Sequence, residues 1–263
     1  MYHPESTLPA IPYMAKHKLA RFAAMATYPN VFQPTLDELL SQPYRLSGRW
    51  NAEVFHNDHP LVLELGCGKG EYTVGLAGRY ADRNFIGIDI KGARMWVGAT
   101  DALNRQIPNA AFLRTRIEML DRCFAPGEVS EIWITFPDPQ PQKKRIGKRL
   151  TSASFLNRYL RCLKPDGIVH LKTDSTLLYT YTSRLVSYNR LEVLAETDDL
   201  YRSKTADEVL TSIKTHYETL FSSRGATIKY LKFKLNKEVV ELPDELTVFA
   251  TDAERSMPLA HRP

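Results

Sequence analysis

Apolar positions in this chain fall into two regimes. From Pro60 onward, apolar runs of about five residues alternate with longer amphipathic segments, the pattern of parallel strands buried between helices. The runs predict strands at Leu61 to Leu65, Asn84 to Asp89, Ala111 to Arg114, Glu131 to Phe136, Gly167 to Thr173, Leu191 to Glu196 and Ile228 to Leu235. Helices fit between them at Tyr72 to Tyr80, Gly92 to Arg105, Ser152 to Leu163 and Thr176 to Tyr188. The third opens after the capping types Thr151 and Ser152 and closes before Lys164-Pro165-Asp166-Gly167. Such alternation implies an α/β fold, a mostly parallel seven-stranded sheet with helices on both faces.

Residues 1–58 follow a different regime. They are rich in Pro, His and basic residues and have no periodic apolar face beyond Lys18 to Met25. They are expected to form a basic N-terminal extension, ahead of a domain over 59–240 and a tail over 241–263. Repeats and low-complexity tracts do not stand out.

Composition narrows the function classes a little. The 35 Lys and Arg against 30 Asp and Glu give a net charge of +5, an excess that suits a polyanionic partner without demanding one. Cys67, Cys123 and Cys162 are an odd number without C-x-x-C spacing, so no disulfide framework or metal site is expected. Pro9 and Pro12 interrupt the N-terminus where a signal peptide needs an apolar stretch, and no apolar run reaches membrane-spanning length. A cytoplasmic protein without membrane contact is expected.

The first strand runs into Gly66-Cys67-Gly68-Lys69-Gly70, a glycine-rich turn at the carboxyl end of a strand, where open α/β sheets bind ligands. A dinucleotide fingerprint needs glycine where Glu71 stands, and a P-loop needs Ser or Thr where Gly70 stands. What remains, E-x-G-x-G-x-G, resembles the first motif of the class I S-adenosylmethionine-dependent methyltransferases, which have a Rossmann-like fold. A carboxylate in an apolar strand needs a partner, and Glu64 would find one in the cofactor's ammonium; pairing with a core arginine is the alternative. Asp89 ends the second strand, where an acid accepts ribose hydroxyls, or it caps the next helix. In the resembling family an acid near the end of the third strand contacts the cofactor. Arg116 occupies the aligned position, and the nearby acid is Glu118, otherwise a surface helix residue.

The fourth strand stops at Pro137, Pro139 and Pro141, followed by five basic residues among the seven from Lys143 to Arg149. The prolines fix an extended loop. Amino-group methyltransferases carry Asp/Asn-Pro-Pro-aromatic at this strand end, and Phe-Pro-Asp-Pro here disfavours adenine amino methylation. The segment FPDPQPQKKRIGKRLTSASFL closely resembles the FSDPWPKKRHxKRRL segment of the bacterial single-chain tRNA guanine-N7 methyltransferases. HLKTD, ending at Asp174, and Thr215-His216-Tyr217-Glu218 resemble that family's H-F-K-T-D strand and T-x-Y-E box. The motifs keep the family's order from about residue 61 to 235. Gln140 stands where the family often has Trp, and Gln142 where it often has a first Lys.

That resemblance implies a last strand running antiparallel and methyl transfer from S-adenosylmethionine to N7 of guanine 46 in the tRNA variable loop. Glu64, Gly66, Gly68, Gly70, Asp89, Glu118 and Asp138 would bind the cofactor. Asp138 would be the active-site acid, and Lys143, Asp174, Thr215 and Glu218 would bind substrate. No metal and no obligatory partner subunit are expected, with the chain a monomer or a homodimer. Read from the residues alone, Asp174 is the N-cap ahead of Thr176, and Thr215 and Glu218 lie on an ordinary amphipathic helix. N7 already carries a lone pair, so acids that position and stabilise suffice and no general base is required. Lys143, Lys144, Arg145, Lys148 and Arg149 are expected on tRNA phosphates, with Lys16, Lys18 and Arg21 extending that surface. The alternatives are a methyltransferase for another RNA purine or small molecule, separated by nucleoside profiling, and a noncatalytic RNA-binding protein, separated by cofactor calorimetry.

Overall fold

A computed structural model of the chain describes residues 18–203, 208–215, 218 and 226–246. The seven expected strands are present as β2 (Leu61–Leu65), β3 (Asn84–Asp89), β4 (Ala110–Arg114), β5 (Val129–Thr135), β6 (Leu163–Thr173), β7 (Val193–Thr197) and β8 (Lys229–Lys234), and a two-residue β1 (Val31–Phe32) is added at one edge. Their order is β1-β4-β3-β2-β5-β6-β8-β7. Pairings are parallel from β1 through β6, and β8 runs antiparallel between β6 and β7.

Every residue of β2 is buried, because helices cover both faces; this is why the strand reads as an unbroken apolar run. Strict alternation sorts the side chains into two layers. Leu61, Leu63, Leu65, Ile132, Ile134, Val169 and Leu171 enter one hydrocarbon layer, with α6 (Ala153–Tyr159) and α7 (Thr176–Tyr188) packed on it. The other face meets α3 (Glu71–Arg79) and α4 (Gly92–Asn104). It also carries a stripe of buried polar groups, Glu64, Glu131, Thr135, His170 and Lys172. Within the stripe Trp133 stacks on His170 at 3.9 Å, and Glu131 accepts from the Trp133 indole and from Arg83.

The supposed extension is part of the domain from Arg21 onward. On α1 (Lys18–Met25), Met25 is buried, and the Arg21 guanidinium lies 4.9 Å from the Trp96 ring on α4. Trp50 is fully buried, stacks on Phe124 at 5.5 Å and donates its indole N–H to the carbonyl of Cys123 at the end of α5 (Leu120–Cys123). Leu39, Leu46 and Phe55 enter the same layer. Thr35 and Glu38 close a capping box on α2 (Leu36–Ser41). The expected tail is likewise anchored through residue 246: Val240 and Glu241 exchange hydrogen bonds with Asn157 and Asn189, and Leu246 is buried. Lys16 and residues 247–263 lie outside the described residues. The third predicted helix ends early, at Tyr159, because Leu163 already pairs with Val129 before a register shift around Lys164–Gly167.

Candidate active site at the carboxyl ends of the central strands

The chain winds from β2 toward β3 and β4 on one side and from β5 toward β6 on the other, so β2 and β5 flank the topological switch point, where doubly wound sheets bind ligands. The glycine turn sits there. Gly66, Gly68 and Gly70 all have left-handed φ, at 72°, 55° and 73°, where a side chain is disfavoured. A Cβ on Gly70 would lie 2.6 Å from the Phe112 ring, so this glycine is also needed for packing. Over Gly66 and Gly68 a Cβ would meet nothing nearer than 3.8 Å and 3.9 Å. That leaves an open backbone face for a ligand to approach.

Glu64 finds its partners within the protein. Its Oε2 accepts from the Thr73 N–H (2.8 Å) and hydroxyl (2.5 Å), and its Oε1 from the Thr135 hydroxyl (2.7 Å). Neither an arginine nor a ligand ammonium is required to satisfy it. Burial pushes its pKa up to about 7, against the pull of those hydrogen bonds. Glu64 thereby ties β2 to the first turn of α3 beneath the glycine loop.

Asp89 braces the loop from the other side. Its Oδ2 accepts from the Gly68 N–H (2.9 Å) and its Oδ1 from the Lys91 N–H (2.8 Å). Each oxygen keeps further lone-pair capacity, which suits ribose hydroxyls. The half-buried acid and the open glycine face beside it fit the adenosine half of S-adenosylmethionine. Glu118 and Arg116 lie exposed past β4, and the Glu118 carbonyl accepts from Arg158.

After β5 the loop carrying Asp138 is strained. Phe136 and Gln140 have φ of 48° and 44°, a conformation that non-glycine residues rarely hold unless their surroundings impose it. Asp138 is exposed and its Oδ1 accepts from the Gln140 N–H (2.9 Å). Arg149 corrects the sequence reading. It is fully buried, donates to the Pro139 and Gln140 carbonyls (3.2 Å each) and lies 4.4 Å from the Tyr181 ring. It therefore holds the strained loop in place of any phosphate. Lys143, Lys144, Arg145 and Lys148 are exposed on a 3₁₀ turn.

Asp174 follows β6. Ser175, whose hydroxyl accepts from the Leu178 N–H, caps α7, so the N-cap role considered for Asp174 is already filled. A polar cleft of about 690 Å³ opens nearby, lined in part by Thr176, Tyr179, Arg202 and Lys229; Lys229 donates to the Asp174 carbonyl. Thr215 and Glu218 come together, the Glu218 N–H donating to the Thr215 hydroxyl (3.0 Å). His216 and Tyr217 lie outside the described residues. Glu218 is fully buried against Lys172, 2.7 Å from its ammonium, and accepts from the Tyr201 hydroxyl (2.7 Å). Sequence reasoning missed Lys172, Tyr201 and the role of Arg149; the one signal was a lysine at a core-facing position of the HLKTD strand.

A family model described as "Putative methyltransferase" matches residues 58–231. Two solved structures share the fold at 15% identity: a 16S rRNA methyltransferase, KamB, with TM-score 0.54 over 71% of this chain and 92% of its own, and an antibiotic-related methyltransferase with TM-score 0.51 over 74% and 96%. The fold and glycine loop are those of a Rossmann-like, S-adenosylmethionine-dependent methyltransferase. The tRNA (guanine-N(7)-)-methyltransferase of Bacteroides thetaiotaomicron is 54% identical, covering 88% of this chain and 91% of that protein. Those of Porphyromonas gingivalis (53%; 88% and 95%) and Brevibacillus brevis (35%; 78% and 91%) bear the same name. The chain belongs to the tRNA (guanine-N(7)-)-methyltransferase family.

Proposed function

We propose that this protein transfers the methyl group of S-adenosylmethionine to N7 of guanine in tRNA, at position 46 of the variable loop. The observation that carries this reading is the placement, at the carboxyl ends of the adjacent central strands β2, β5 and β6, of the glycine loop and of three acids from separate segments, Asp138 after β5, Asp174 after β6 and Glu218 against Lys172 of β6. Bound S-adenosylmethionine supplies a methyl group on a sulfonium. Gly66, Gly68, Gly70 and Asp89 would hold it, with Glu64 fixing the loop from below.

Guanine N7 offers an unshared pair, so none of these residues has to remove a proton. The acids instead accept from the N–H groups of guanine's Watson–Crick edge and offset the positive charge that grows on the purine. The base must leave its stack to reach them. Lys143, Lys144, Arg145 and Lys148 are suited to the phosphates around it, contacts that orient tRNA without reading sequence. A fixed loop suits a reaction that rests on alignment, and the Arg149 clamp on the Asp138 loop supplies one.

The test is methyl transfer to unmodified tRNA, read by nucleoside mass spectrometry. The wild type should form 7-methylguanosine, and a transcript with adenosine at position 46 should not be methylated. Asp138→Ala should lose roughly 100-fold to 1000-fold in rate, the usual cost of removing one preorganised electrostatic group. A methylated nucleoside other than 7-methylguanosine would refute the assignment.

A further inference from the structure

Lys172 is a fully buried ammonium, and all three of its N–H donors are engaged. They reach Glu218 Oε1 (2.7 Å), the Tyr72 hydroxyl (3.1 Å) and the Leu210 carbonyl (2.5 Å). The Tyr72 and Phe136 rings flank it at 5.1 Å and 5.8 Å. Its partners therefore lie on α3 beneath the cofactor loop and on the segment of α8 (Glu208–Ser212). Its own backbone carbonyl accepts from the Phe136 N–H (2.8 Å), at the start of the strained loop that carries Asp138. One residue thus touches the supports of both the cofactor site and two of the three acids.

Glu218 is the other half of the pair. Oε1 receives Lys172 and Tyr201, while Oε2 is buried with no hydrogen-bond partner among the described residues. A buried acceptor left unmade costs free energy, and a buried ion pair is seldom kept for stability, since apolar replacements do as well. Both facts make sense if the vacant oxygen waits for a donor from the substrate, and guanine's N1–H and 2-amino group are such donors.

We propose that Lys172 is a positioning residue for the base: it supplies the counter-charge that lets Glu218 stay buried as a carboxylate, and it fixes Oε2 toward the guanine donor edge. This rests on the reading of Glu218 as a guanosine-binding residue. The titratable groups facing the pair are Tyr72 on α3, Tyr201 after β7, Tyr230 on β8, Lys214 beyond α8 and Glu64 on β2. Burial pushes the Tyr72 and Tyr201 hydroxyls upward. Glu64 titrates near 7, but it does so in wild type and variant alike.

The experiment compares Lys172→Met with wild type across pH 6 to 9. Without the ammonium, the Glu218 carboxylate is buried and unpaired and takes up a proton. The expected result is a KM for tRNA raised roughly 10-fold to 100-fold, as for a lost charged hydrogen-bond acceptor, with cofactor affinity within about twofold. Part of the loss should be recovered as pH rises, in an alkaline limb absent from the wild type. The neutral pair Lys172→Met/Glu218→Gln leaves no buried charge unpaired, so it should fold, keep the high KM and lose the limb. Should Lys172→Met fail to fold, this double variant carries the test alone, and a wild-type KM in it overturns the proposal. So does a Lys172→Met whose loss is equal at every pH and shared by cofactor affinity, as a merely structural role would give. A wild type that makes no 7-methylguanosine refutes the function itself; a productive wild type with an indifferent Lys172 refutes only this step.

Discussion

The two halves of the site are built in opposite ways. Around β2 and β3 every carboxylate oxygen of Glu64 and Asp89 has a protein donor: Glu64 takes Thr73, 9 positions on, and Thr135, 71 positions on, and Asp89 takes Gly68, 21 positions back, and Lys91. Around β5 and β6 the contacts also join distant segments, 38 positions from Lys172 to Leu210 and 55 from Lys229 to Asp174. At its carboxyl end that half also holds Phe136 and Gln140 with left-handed φ and, among the described residues, two buried acceptors without a hydrogen-bond partner, Gln140 Oε1 and Glu218 Oε2. On the proposed reading, buried acceptors without a partner and backbone strain lie where the base would be read, while the carboxylates of the cofactor half are already held by protein donors.

The sharpest way to separate the halves is Arg149→Ala. It removes the clamp on the Pro139 and Gln140 carbonyls and leaves a void beside Tyr181, which should cost about 4 kcal/mol in denaturant unfolding. Methylation should fall more than cofactor affinity in the folded fraction; equal losses would mean the halves are one unit.

A smaller effect is expected on the cofactor side from Glu64→Gln. The wild-type folded state raises the Glu64 pKa from 4.5 to about 7. Its contribution to stability is therefore fully present below pH 4.5 and lost as pH rises through 7, at most about 3 kcal/mol. Urea melts at pH 5 and pH 8 should show that decline in the wild type and a flatter response in the variant. Identical slopes would remove Glu64 as the titrating group. The smallest change in stability belongs to Lys144→Glu/Arg145→Glu, within about 0.5 kcal/mol for an exposed pair. Its tRNA affinity should nonetheless lose roughly one to two units of salt slope, whereas Arg149→Ala should keep the wild-type slope.

What was legible in the sequence follows the same division. The strand runs and the glycine loop could be read directly, because the runs repeat with the strand period and the glycines are near neighbours; the hydroxyls that hold Glu64 could not, Thr135 lying 71 positions away. The extension from Arg21 to Phe55 could not, since it docks through widely spaced anchors, Met25, Leu39, Leu46 and Trp50, that form no periodic face. Arg149 was hidden among exposed cations of the same charge, and only the fold turns it inward. The Lys172–Glu218 pair joins a strand to a distant segment, a contact that no local pattern announces.

The buried polar stripe on the α3 face has a consequence for how the chain folds. Parallel strands made only of hydrocarbon could slide along one another by one residue at little cost, because each face would still be apolar. Here a slip of β5 or β6 would carry Glu131, or His170 and Lys172, into the layer occupied by Ile132, Ile134, Val169 and Leu171. Each stranded charge would cost several kcal/mol. The buried polar groups thus act as an alignment key that favours a single register of the central strands.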